Sequence, residues 1–498
     1  MTDNFPTPII GLAIAVAILI FLVLRTKVHS LIAMIIAACI AGISGGMSTS
    51  ETVDAITRGF GSTLGSIGIV IGLGVMMGRI LEVSGAAEQI AFSFIKWLGK
   101  KREEWALALT GYLVSIPIFV DSAFVILYPV SKALAKKGDR SALTLGVSLA
   151  GGLVVTHTMV PPTPGPLTAA GLFGVEIGAM MLLGMTLSIP CVIGIVLYAQ
   201  WLGKQYSDTD DDYKTGEKTN EHQHDYHKEI AGRPLPSLMV SLLPIVAPIV
   251  LIFIKAIIGI IPISAGEDSI ASFLVLVINL VGTPIIALSI STLLAVYLLV
   301  PYLNRHETST RLEEGLQSAG IILIITGAGG ALGAVVRDSS VGIQLAEQVT
   351  GLPLSPIMIP FVVATLIRFV QGSGTVACVT SASICAPVLE QIPGINMLLA
   401  AQAAVAGALF FSYFNDSLFW VVNRMMGITD VKKQLAVWSI PTTIAWTIGG
   451  ITVALLNLIA TSAKVLDFVI PLVGLLAVTL FMRKHSKKAS GNATFDGL

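Results

Sequence analysis

The chain has 498 residues, of which 54% are hydrophobic and only 12% charged, and its 30 Lys and Arg balance its 30 Asp and Glu. Mean hydropathy is +0.85. Soluble domains carry about 25% charged residues, so a soluble enzyme is excluded, and zero net charge without a basic stripe argues against nucleic acid as a partner.

Apolar runs long enough to cross a bilayer, about 20 residues per helix, begin at Pro8 to Leu24 and Leu31 to Gly46, continue at Phe60 to Met77, and end at Phe468 to Phe481. The segment before the first run has no basic residues and no small-residue cleavage pattern follows it, so it reads as a retained helix and not a signal peptide. The expected class is an all-α polytopic membrane protein embedded in a lipid bilayer. Cys39, Cys191, Cys378 and Cys385 stand in apolar surroundings without a CxxC pair and read as small core residues.

Of the 30 basic residues, 24 fall in seven clusters: Arg25 and Lys27, Lys96 to Arg102, Lys132 to Arg140, Lys204 to Arg233, Arg305 and Arg311, Arg424 to Lys433, and Arg483 to Lys488. Positive loops face the cytoplasm, which places the N-terminus outside (periplasmic) and the C-terminus inside. Residues 105–137 then pose a problem. Cytoplasmic clusters flank them on both sides, yet they hold too few apolar residues for two crossings. A re-entrant hairpin turning at Ser115 to Ser122 satisfies both constraints, and such backbone is tolerated only when buried in protein or facing a wet cavity. Residues 355–391, interrupted at Gln371 to Thr375, pose the same problem from the outer side. The remaining segments make about eleven crossings.

Shifting the chain by 255 positions aligns Gly72, Gly74, Gly78, Ser84, Gln89 and Ala91 with Gly327, Gly329, Gly333, Ser339, Gln344 and Ala346, and Gly152 with Gly407. Each matched block precedes an interrupted segment and then a second broken helix. In the first copy the run Leu143 to Val160 stops at Pro161-Pro162-Thr163-Pro164-Gly165-Pro166, where proline removes donors and blocks the helix. In the second, Ala403 to Phe411 meets the polar island Ser412 to Ser417. These readings give two inverted-topology repeats with a site at the midplane between discontinuous helices. The organisation is N-terminal helices at 1–50, repeat 1 at 51–203 with hairpin 105–137 and broken helix 141–172, a cytoplasmic linker at 204–235, and helices at 236–305. Repeat 2 follows at 306–430 with hairpin 355–391 and broken helix 395–424, then C-terminal helices at 431–482 and a cytoplasmic tail at 483–498.

A small organic anion held at that depth needs donors, and the start of a half-helix supplies N–H groups and a positive dipole end. Ser122 begins the return arm of the first hairpin, and Ser373, Gly374 and Thr375 begin that of the second, with Gly372 allowing close approach of the backbone. Ordinary small-residue helix packing is the alternative. Asp121 and Asp416 are the carboxylates deepest in the apolar layer. Proton coupling through one or both stands beside a carboxylate satisfied by helix N–H groups, and Asp416 also suits substrate hydroxyls. His157 reads either as a proton relay or substrate ligand or as a packing residue. Thr163, Asn415 and Ser417 complete the candidate substrate-binding set. Arg368 either neutralises the anion or snorkels to the outer interface. The stretch Glu221 to His227 reads as a solvated linker rather than a metal site, so no metal is expected. No cofactor is expected either, and the absence of a P-loop pattern argues against ATP-driven pumping. A homodimer is compatible with the sequence.

The run Gly78-Arg79-Ile80-Leu81-Glu82-Val83-Ser84-Gly85-Ala86-Ala87-Glu88, the hairpin Ile116 to Asp121, the segment Thr156 to Pro166 and Asp416-Ser417-Leu418-Phe419-Trp420 together resemble the gluconate permease family over nearly the whole chain. The resemblance implies a bacterial inner-membrane symporter taking up gluconate or a related sugar acid with protons, on the elevator-type fold of the ion-transporter superfamily. Some members look like they carry Glu at the position of Asp121 and His-Pro in place of Thr163-Pro164, and the family includes permeases for D-serine and other hydroxy acids. The form found here looks closer to the sugar-acid branch. A sodium-coupled carboxylate transporter, a D-serine-type permease and, from another class, an intramembrane enzyme using His157 and Asp416 are the alternatives.

Overall fold

The computed structural model describes residues 7–26, 28–99, 101–137, 141–206, 235–260, 270–299, 305–460 and 463–491. The stretch Glu221 to His227 and nearly all of the 204–235 linker lie outside these residues. Every regular element among them is helical. In chain order they are α1 (Thr7–Arg25), α2 (Ser30–Ser44), α3 (Thr49–Val83), α4 (Ala86–Leu98), α5 (Glu103–Val114), α6 (Val120–Lys137), α7 (Ala142–Met159), α8 (Pro164–Leu172) and α9 (Ile177–Tyr206). There follow α10 (Leu238–Ile260), α11 (Ile270–Val281), α12 (Pro284–Leu299), α13 (Arg305–Asp338), α14 (Ser340–Thr350), α15 (Ile359–Gln371), α16 (Gly374–Leu389), α17 (Met397–Gly407) and α18 (Ser417–Met425). The last are α19 (Val431–Gln434), which runs through a π turn into α20 (Ile440–Ala460), and α21 (Val465–Gly491).

Six helical stretches among the described residues are long and apolar enough to cross a membrane, and the pair α11–α12, bent by 72°, makes seven. Further apolar helices of 10–17 residues, α2 and the Pro8–Leu22 part of α1 among them, stand outside this count, and the eleven crossings expected from apolar runs include such segments. Large apolar side chains stand exposed on the outside of the bundle, Phe273, Leu276 and Ile459 for example, as lipid contact demands. The stretch Ala142–Leu172 is the opposite case. Its most apolar window is 94% buried, against 28% for α10, so α7 and α8 run through the middle of the molecule.

Two long helices, α3 and α13, pack lengthwise on each other. Beside them, α5 and α6 form one helical hairpin and α15 and α16 another. The first arms have 12 and 13 residues, about 18–20 Å at 1.5 Å per residue, well short of the roughly 30 Å hydrocarbon layer. Each hairpin leans on a broken pair: α5 and α6 on α7, α15 on α17, and α16 on both α8 and α17. The contact is alike in both halves. A Cβ on Gly152 would fall on the carbonyl of Ala108 in α5, and one on Gly407 would fall on the carbonyl of Phe361 in α15, so in each half glycine lets the broken helix touch the backbone of the hairpin's first arm.

The breaks have different causes. α7 ends at Met159 because the next four positions hold Pro161 and Pro162, and α8 restarts with Pro164 at its first position, where a missing N–H costs nothing. α17 stops at Gly407, four residues before the polar island that the sequence marks. Ala408 to Phe411 are apolar and read as helix, but they turn, and Phe411 has φ +21°.

Candidate functional site

Four half-helices start at one place. Val120 and Asp121 of α6, Gly165 and Pro166 of α8, Gly374 and Thr375 of α16, and Ser417 and Leu418 of α18 all line a single cavity of about 330 Å³. A helix start leaves its first N–H groups without intrahelical acceptors and carries about half a positive charge. Not all these donors are free. In α8 the first and third positions are proline, which leaves Gly165 as the donor of that turn. In α16 the Ser373 hydroxyl accepts from Val376 N at 3.4 Å, leaving the N–H groups of Gly374 and Thr375 at the cavity.

Asp416 caps α18 and is held from every side. Its Oδ1 accepts from Leu418 N at 3.2 Å, and its Oδ2 forms an ion pair with Arg368 Nη2 at 2.7 Å. The Ser412 hydroxyl also donates to Oδ2, and that hydroxyl in turn accepts from Trp438 Nε1 at 2.7 Å. Both partners of the ion pair are buried, the Arg368 side chain 5% and the Asp416 side chain 10% exposed. Charges this far from water persist only when paired, so each fixes the other as an ion. Arg368 Nη1 donates to the carbonyl of Gly372 as well, tying the same cation to the hairpin tip.

The tip itself is closed by the polar island. Tyr413 Oη donates to Phe369 O at 2.7 Å and Asn415 Nδ2 to the same oxygen at 3.1 Å, so carbonyls that α15 leaves open at its C-terminus find donors. Gly372 has φ +87°, and a Cβ there would fall on the Asn415 carbonyl. Only glycine serves both requirements.

Asp121 contrasts with Asp416. It is exposed at the cavity and has no hydrogen bond or ion pair among the described residues. His157 also lines the cavity, with its ring 5.8 Å from that of Phe119. Its Nδ1, Asn415 Oδ1 and Arg368 Nε are buried without hydrogen-bond partners among the described residues, three unsatisfied polar atoms on residues that line one cavity.

Of the residues singled out from sequence, Asp121, His157, Gly372, Ser373, Gly374, Thr375, Asn415, Asp416 and Ser417 line this cavity. Ser122 and Thr163 do not. Thr163 is buried, and its hydroxyl lies 2.7 Å from both His157 O and Val160 O, so it staples the break together. Ser122 follows Asp121 on α6 and is turned off the cavity wall. Arg368 does not snorkel outward, being buried in the ion pair. The cavity also takes in Val154, Thr158, Gln371 and Cys378. Helical spacing carries a signal for two of them: Val154 precedes His157 by one turn, and Cys378 follows Thr375 by one. Ser412, which holds Asp416, belongs to the polar island that the sequence marks, whereas Trp438 behind it has no local pattern that announces it.

The fold is shared with a solved transporter. It covers 83% of this chain and 90% of the YdaH transporter of Alcanivorax borkumensis, with a TM-score of 0.59 at 13% identity. Fold and cavity together define an all-helical, multi-pass membrane protein with a polar central cavity. The sequence pattern of the GntP family of permeases matches residues 7–459, and the chain belongs to that family. An uncharacterized permease of Haemophilus influenzae is 62% identical over 97% of this chain and 99% of its own length. The gluconate permease of Pseudomonas aeruginosa is 33% identical over 89% of this chain and 95% of its own length.

Proposed function

We propose that this permease imports gluconate or a closely related sugar acid by proton symport across the bacterial inner membrane, with its N-terminus periplasmic and its C-terminus cytoplasmic. The observation that carries the reading is the convergence of four helix starts on one cavity beside an unpaired carboxylate. The gluconate permease relative supports the cargo, and the clusters of Lys and Arg support the orientation.

Charge accounting gives the coupling a physical basis. Four helix starts contribute about +2 in total at about half a charge each. Arg368 and Asp416 cancel. An ionised Asp121 then leaves the cavity at about +1, and a protonated one at about +2. The anion therefore binds better when Asp121 carries a proton, and by reciprocity the bound anion holds that proton more tightly. Anion and proton enter together. The carboxylate of the cargo takes the N–H groups of Gly374 and Thr375 with that of Gly165. Its hydroxyls meet Asn415 Oδ1, His157 and the hydroxyls of Ser373, Thr375 and Ser417. Asp121 is thus the coupling carboxylate, and Asp416 the fixed counter-ion of Arg368.

Hairpin arms too short to cross support re-entrant loops, and the matched glycine contacts of Gly152 and Gly407 support two inverted repeats. Movement of hairpins and broken helices as a body against α3 and α13 is the elevator-like step that this arrangement allows. In proteoliposomes Asp121→Asn should keep gluconate exchange and lose accumulation driven by a pH gradient. An Asp121→Asn protein that still accumulates gluconate against its gradient would remove Asp121 from this role.

A further inference from the structure

A second cavity, of about 220 Å³, lies further along the same two half-helices. It is bounded by Gly171 and Leu172 at the end of α8, by Ser383 and Ala386 of α16, by Thr63 of α3 and by Arg337 of α13. From Pro166 in the central cavity to Gly171 in the second is about 7.5 Å along α8 at 1.5 Å per residue. Between them along α8, Thr168 Oγ1 and Thr326 Oγ1 of α13 meet at 3.0 Å, fully buried.

The wall of this second cavity is built for hydroxyl groups. Thr63 is 8% exposed, lines the space, and its hydroxyl has no hydrogen-bond partner among the described residues. The Ser383 hydroxyl, fully buried, spends its proton on Val379 O at 2.6 Å, which leaves its lone pairs to accept. Ser66 does the same toward Thr63 O at 2.9 Å. At the mouth Arg337, 43% exposed, holds Glu390 through Nε at 2.7 Å and Nη2 at 2.9 Å. Its Nη1 has no hydrogen-bond partner among the described residues, so an arriving carboxylate has a charged donor to take. Hydroxyl acceptors, one uncommitted hydroxyl and one accessible cation describe a small polyhydroxylated carboxylate.

We propose that this second cavity is a binding site for the same class of anion that the central cavity carries, occupied before or after it on the transport path. The proposal rests on the reading of the cargo as a sugar acid.

The test uses the full-length chain in membrane vesicles carrying Thr63→Cys, a change of similar size. A small methanethiosulfonate reagent is applied with and without gluconate, and modification at position 63 is read by mass spectrometry, with Cys39, which lines neither cavity, as the internal reference. At gluconate five times its dissociation constant the rate should fall about six-fold, with a half-saturation concentration different from that of uptake by the same vesicles. Protection that follows the uptake curve reports only the filling of the central cavity and overturns the proposal, as does no protection while uptake saturates. Protection without uptake sustains the second site and removes the cargo reading, whereas neither protection nor uptake removes both. If Thr63→Cys does not fold, Ser66→Cys, at an exposed position on the same cavity wall, gives the same readings.

Discussion

Replacing Asp121 by Asn removes one charge from the cavity without changing its shape. A space of about 330 Å³ is about 9 Å across if taken as a sphere, so a bound carboxylate lies roughly 6–8 Å from Asp121. At an effective dielectric of about 20 the two charges repel by about 2–3 kcal/mol, or about 30- to 150-fold in affinity. The sign follows directly. An ionised Asp121 weakens anion binding, so in the native protein affinity rises as pH falls through the titration of Asp121. In Asp121→Asn the repulsion is absent at every pH, and affinity should stay at the native acid limit. Isothermal titration of gluconate into purified protein, from about pH 5 to about pH 9, reads both curves. Native and variant curves with the same pH slope, or an Asn variant that binds more weakly throughout, would refute the coupling argument.

Arg368→Gln and Asp416→Asn each strand a buried charge and should cost about 3–5 kcal/mol, while the double variant should cost far less than their sum because it strands none; melting of the detergent-solubilised proteins measures this, and additive losses would contradict the pairing. Gly372→Ala should abolish uptake, since the left-handed backbone costs a side chain about 1–2 kcal/mol and the new Cβ meets the Asn415 carbonyl; uptake at the native rate would show that the tip is not held as described. Thr163→Val removes the single O–H that the carbonyls of His157 and Val160 share, a loss of about 1–3 kcal/mol, so the protein should melt earlier with KM for gluconate unchanged. A raised KM with unchanged melting would return Thr163 to the binding set.

What the sequence makes legible here is what local chemistry dictates. Pro161, Pro162 and Pro164 interrupt a helix wherever they stand, and α7 and α8 stop and restart around them. Gly372 marks a turn for the same reason. The family is legible because its motifs sit at these interruptions, and the pattern of the GntP permeases covers residues 7–459. The end of α17 is not legible, since Ala408 to Phe411 have nothing against helix except the packing of Gly407 on the Phe361 carbonyl. Nor is the state of Asp416. Its ionic partner stands at position 368, and Trp438 holds the Ser412 hydroxyl from behind; no periodicity links positions 368 and 438 to Asp416. Thr163 shows the reverse error: a polar residue in a run of prolines suggests a ligand, but backbone carbonyls freed by the break claim its hydroxyl first.

The most direct test of proton-coupled sugar-acid transport is uptake of radiolabelled gluconate by proteoliposomes under an imposed pH gradient. With the interior alkaline and sodium absent, gluconate should accumulate above its external concentration, and a protonophore should abolish that accumulation. Uptake that ignores the protonophore and disappears when sodium is withheld would contradict the account.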